Sequence, residues 1–125
     1  MQNLTSKCYL SMAQLPNETT TTVLELQRRL LAIIDRATAT GMSIFEQYGE
    51  TETTLIELAQ LQNVQERADI YYTRFYTLLR QIAGAQPFAT TAMLELLASS
   101  IEDAAATADA LEASTQEIKR DWDIL

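Results

Sequence analysis

Four arginines bound the chemistry this sequence could carry out: Arg29, Arg36, Arg67 and Arg74. Each pair is spaced by seven, which places it along the margin of an apolar helical repeat. Converging between two helices, they could hold an anionic substrate, because a guanidinium presents a fixed fork of donors to a carboxylate or phosphate. The chain contains no histidine. That removes His-mediated phosphotransfer, Ser-His-Asp and Cys-His sites, His-ligated haem, and the Glu-x-x-His helices of ferritin-like di-iron bundles. Cys8 is the only cysteine, so a zinc site would have to combine carboxylates with one thiol. No metal and no cofactor is expected.

Carboxylates form the second constellation. Glu95, Glu102, Asp109 and Asp123 recur at heptad spacing, interrupted only by Gln116, and Asp103, Glu112 and Glu117 flank them. Residues 84–125 hold eight acids against Lys119 and Arg120, so this third of the chain carries −6 of a net charge of −8. Such a ridge could dock a basic partner, or imitate a phosphate backbone as an acidic inhibitor does. A solvated face that keeps the protein soluble is the plainer expectation. The overall charge argues against direct contact with nucleic acid or an anionic membrane.

Two further sets suit protein contacts. Tyr72, Tyr76 and Leu79 lie on the flank of one helical repeat with Arg80 a step further round. Tyr and Arg are over-represented at interface hot spots, where a ring buries area and a polar tip stays wet. Ile118, Trp122 and Leu125 end the chain, in position to pack near Tyr48 and Leu55 or to anchor a dimer.

The elements that must position these residues are helices. Three Gly, two Pro and 47% hydrophobic residues argue against disorder and against a turn-rich β fold. From Leu55 to Ala83 the apolar residues Leu61, Val64, Ala68, Tyr71, Phe75, Leu78 and Ile82 alternate spacings of three and four. A second row, Leu55, Leu58, Tyr72, Tyr76 and Leu79, widens the stripe on one flank. A stripe this wide needs more than one neighbour, so this is the expected central helix of a bundle, over 51–84. A helix over 22–48 precedes it, with the stripe Val23, Leu26, Leu30, Ile33, Ile34, Ala37, Ile44 and Tyr48. Leu24, Leu31 and Phe45 extend that stripe to one side. Its start is expected at Thr22, where Thr22-Val23-Leu24-Glu25 has the pattern of a capping box. Gly49 and Thr51 suit the end of one helix and the cap of the next. A third helix over 88–124, with Pro87 in its first turn, carries Leu94, Leu97, Ile101, Ala104, Ala108, Leu111, Thr115 and Ile118. Counting from the two short loops stacks Ala37, Ala68 and Ala104 into an Ala-rich waist, which draws the helices together or leaves a slot for an apolar ligand.

The run Leu26-Gln27-Arg28-Arg29-Leu30-Leu31-Ala32-Ile33-Ile34-Asp35 is loosely similar in rhythm to a helix of small all-α chorismate mutases, which line their bundles with arginine. The lysine such an enzyme carries further along is missing, since no Lys occurs between Cys8 and Ile118. That rhythm is common to many amphipathic helices, and no family follows from it.

The expectation is therefore an all-α protein, an antiparallel up-down-up bundle of three long helices over 22–125. Residues 1–21 form a leading segment in which Leu4, Cys8, Met12 and Leu15 predict a short N-terminal helix. That segment has no apolar run fit for a signal peptide or membrane span, and a lone cysteine suits a reducing, cytoplasmic compartment. The expected function is a non-enzymatic interaction module, an adaptor, assembly factor or regulatory subunit, contacting another protein or a second copy of itself as a homodimer. The alternatives are a small enzyme or ligand-binding bundle using the arginines, and the acidic mimic.

Overall fold

The computed structural model describes Ala13 and residues 15–124. Three helices pack against one another: α1 (Asn17–Tyr48), α2 (Glu52–Gly84) and α3 (Thr91–Asp121). The described residues include no strand. The expected N-terminal helix around Leu4, Cys8 and Met12 lies outside the described residues, as does Leu125.

α2 starts where its sequence says it should. Thr51 caps it with a reciprocal box: its hydroxyl accepts from the Thr54 amide at 3.1 Å, and the Thr54 hydroxyl accepts from the Thr51 amide at 2.7 Å. Gly49 closes α1 at φ 75°, a left-handed conformation that costs a glycine little. The start of α1 corrects the expectation by five residues. The helix begins at Asn17 after Pro16, and the Thr22 hydroxyl donates to the Glu18 carbonyl at 2.9 Å. Thr22 is thus inside the helix and caps nothing. Its hydroxyl finds a carbonyl one turn back, so a run of Thr can be helical once Pro16 has set the entry. α3 also starts later than expected. Thr90, and not the Pro87 turn, caps it, accepting from the Met93 amide at 3.2 Å.

The core follows the three-four repeats. Val23, Leu26, Leu30, Ile33, Ala37 and Ile44 of α1 meet Leu61, Val64, Ala68, Phe75, Leu78 and Ile82 of α2. α3 adds Leu97, Ala104, Ala108, Leu111 and Ile118. Ser100 is turned into the core while Leu94 is exposed, so the buried face of α3 is rotated slightly from the expected stripe. The alanines Ala37, Ala68, Ala104 and Ala108 are all closed to solvent. α1 and α2 form the most extensive pairing. Gly41 lies in that contact, where a β-carbon would sit 3.3 Å from Leu58 Cδ2. Further along, Gln27 Nε2 donates to the Tyr72 carbonyl at 3.4 Å.

Candidate interaction surface

The arginines do not gather. Arg29 of α1 reaches α3, where its guanidinium binds Glu112 through Nε at 3.0 Å and contacts Asp109 through Nη2. The bidentate fork is satisfied by carboxylates of the chain itself. Hydrogen bonding to Arg29 holds the Glu112 carboxyl below its ordinary range, against the opposing effect of its burial, with Arg36 adding a weaker attraction. Arg36 lines a small depression with Glu112 and Lys119 on the same side. Arg67 is elsewhere, on the rim of a groove of about 540 Å³ between α2 and α3 with Ile56, Asn63 and Ser114. The Arg74 guanidinium lies 5.1 Å from the centre of the Tyr71 ring, a cation–π contact within α2. Arg29 and Arg36 both approach Glu112, a carboxylate of the chain itself, while Arg67 and Arg74 face other surroundings, so the four do not line one inter-helix slot.

The acidic ridge is only partly a ridge. Glu95 and Glu102 are exposed on α3, and Asp109, though exposed, is held by Arg29. Asp123 leaves the series, because α3 ends at Asp121 and Asp123 turns to φ 54°. The Ile124 amide then closes on the Lys119 carbonyl at 2.8 Å, a left-handed helix stop. Heptad counting carried the series past the end of the helix. Among the described residues no cluster of three metal-ligating side chains occurs.

Of the C-terminal set, Ile118 and Trp122 pack inward, where their position placed them. Ile118 is buried, and Trp122 meets Tyr48 edge-to-face with ring centres 5.0 Å apart. The Tyr48 hydroxyl donates to the Trp122 carbonyl at 2.8 Å. These contacts tie the end of α3 to the end of α1.

The aromatic flank of α2 faces out, as do Ile56 and Ile70 elsewhere on α2 and Leu94 and Leu96 on α3. Tyr72 and Leu79 are half-buried against the core, whereas Tyr76 is exposed and carries the Arg80 guanidinium 5.4 Å from its ring centre. The other side of this surface comes from α1 and was not in the expected site. Leu24, Leu31, Thr38 and Phe45 are spaced by seven, one stripe along the helix, with Met42 beside it. Met42, Phe45 and Thr38 share a groove of about 380 Å³ with Leu58, Gln62 and Gln65 of α2. At the other end the Gln27–Tyr72 bond holds the same two edges together. The six large apolar residues of this face, Leu24, Leu31, Met42, Phe45, Leu55 and Tyr76, run from 48% exposed at Leu55 to 58% at Met42. The signal was present in the sequence, since Leu24, Leu31 and Phe45 widen the α1 stripe exactly as Tyr72 and Tyr76 widen that of α2.

Compared with protein-family models, with curated proteins and with solved structures, the chain matches none. Among the described residues no helix is long and apolar enough to cross a membrane.

Proposed function

We propose that the chain is an up-down-up three-helix bundle acting as a protein–protein interaction module, with the outer α1–α2 face as its contact surface. The observation that carries the reading is the row of six half-exposed large apolar side chains along that one face. Scattered apolar residues are normal on a surface, but large ones recurring along both edges of one helix pair are a mark of a contact site. The polar residues within the groove, Thr38, Gln62 and Gln65, are uncharged and can be covered at modest cost. Tyr76, with Arg80 on its ring, supplies the residue types that dominate interface energies. The distribution of the arginines favours this reading over an anion-binding bundle, because Arg29 is neutralised from within the chain and Arg67 and Arg74 face other surroundings.

The test is recovery of bound proteins from the native source, identified by mass spectrometry. A Leu31→Glu/Phe45→Glu variant should lose the proteins that the unaltered chain retains. A Glu95→Lys/Glu102→Lys variant, altering the acidic ridge alone, should keep them. Asp109 is left out of that control because reversing it would set a cation against Arg29. Retention by the first variant and loss by the second would overturn the proposal in favour of the acidic ridge.

A further inference from the structure

We infer that α3 opens from the bundle as a unit while α1 and α2 stay paired, so the fold carries a built-in switch between a closed bundle and an open α1–α2 hairpin. The outer α1–α2 face belongs to the hairpin and persists in both states. The inference therefore stands apart from the interaction-module reading.

α3 offers its neighbours little to hold. α1 and α2 each bury five large apolar side chains, whereas α3 buries three, Leu97, Leu111 and Ile118. The other inward positions of α3 are Ser100, Ala104, Ala108 and Thr115. Met93, Ile101 and Trp122 lie against the core only in part. Buried apolar area is what holds helices together, so small inward residues make α3 the least strongly held of the three.

Its polar groups do not compensate. The Thr115 hydroxyl donates back to the Leu111 carbonyl of its own helix at 2.9 Å, and the buried Ser100 hydroxyl has no partner. Among the described residues, the side-chain hydrogen bonds that join α3 to another helix are those of Arg29 and Tyr48. Arg29 acts at the wet edge, where Asp109 is exposed and Glu112 partly so, and such pairs are weak and screened by salt. Tyr48 acts at the far end, where its hydroxyl and ring fasten Trp122. Along the seam with α2 the packing is open, in the groove of about 540 Å³ beside Val64 and Leu111.

α1 and α2 are joined differently. They form the most extensive pairing, set Gly41 against Leu58, and share the Gln27 bond to the Tyr72 carbonyl. The Thr51–Thr54 box fixes the start of α2 after the turn between them. α3 follows α2 through the link 85–90. Release of Trp122 and of the Arg29 pair lets α3 swing about that link and uncovers the inner stripes of α1 and α2.

Native-state hydrogen exchange of the full chain, read amide by amide in low denaturant, tests the inference. The amides of 97–115 should exchange together, roughly 10- to 100-fold faster than those around Leu30 and Phe75. Their denaturant dependence should be shallower, since opening one helix exposes less surface than unfolding the chain. Two variants separate this opening from global unfolding. Arg29→Ala weakens the closed bundle alone, so it should speed exchange in all three helices by roughly 2- to 5-fold. Thr51→Ala weakens the hairpin whether or not α3 is docked. It should speed exchange around Leu30 and Phe75 about fivefold and leave 97–115 unchanged. Equal exchange and equal denaturant dependence in all three helices overturns the inference. So does a Thr51→Ala effect of the same size in α3, or fast exchange confined to its last turn, which is fraying. None of these results bears on whether the Leu31→Glu/Phe45→Glu variant loses bound proteins.

Discussion

Phe75 and Ser100 sit in the same core and should respond to truncation with opposite signs. Phe75 is 0% exposed, so Phe75→Ala removes a full ring and leaves a cavity, at a cost of about 3–5 kcal/mol in denaturant unfolding. Ser100 is 1% exposed and its hydroxyl has no hydrogen-bond partner. Ser100→Ala removes that unpaired group and should raise stability, by up to about 1 kcal/mol. The Arg29–Glu112 pair adds a pH dependence. Because Arg29 holds the Glu112 carboxyl below its usual value in the fold, the pair stabilises the protein above the unfolded-state pKa of about 4.3. That contribution is lost as pH falls through the lower folded-state value. Both side chains are about a third exposed, so the pair is worth no more than about 1 kcal/mol. Unfolding of Glu112→Gln compared with the parent should show that difference at pH 7 and a progressively smaller one as pH falls below the unfolded-state value. A difference unchanged by acid would mean Glu112 acts through packing.

At the scale of elements, the Thr51–Thr54 box is the most local stability determinant. Thr51→Ala should cost about 1 kcal/mol in thermal or denaturant unfolding, because it frees the Thr54 amide at the start of α2. The sequence made this helix legible to its ends, since Gly49, Thr51 and Gly84 each have conformational preferences that act within one or two residues. The start of α1 was not legible in the same way. Thr22-x-x-Glu25 carries capping chemistry, but Thr in a helix can also donate to a carbonyl one turn back, and only the entry set by Pro16 decides between the two. α3 shows the converse limit. Its three-four repeat continues past Asp121, but periodicity has no terminator of its own, so Asp123 was counted on a face it does not share.

Across the whole molecule, the sequence marked the surface without saying which residues the bundle would itself consume. The widened stripes of α1 and α2 both demanded a second neighbour. The structure gives α3 to one side of the pair, seen in Arg29 with Glu112 and in Val64 with Leu111, and among the described residues leaves the other side open. The aromatic set was half found from α2 alone, because the α1 half became a site only once pairing put Phe45 beside Leu58. Position favoured packing of Trp122 near Tyr48 over a dimer contact, but the edge-to-face contact itself cannot be read from spacing. Hydroxyl-radical footprinting of the full chain, alone and in the complex recovered from its native source, asks directly whether the open face is covered. The account predicts that oxidation of Met42, Phe45 and Tyr76 falls severalfold in the complex, while that of Phe88, exposed in the loop before α3, stays constant. Equal oxidation of Met42, Phe45 and Tyr76 in the two states would contradict it.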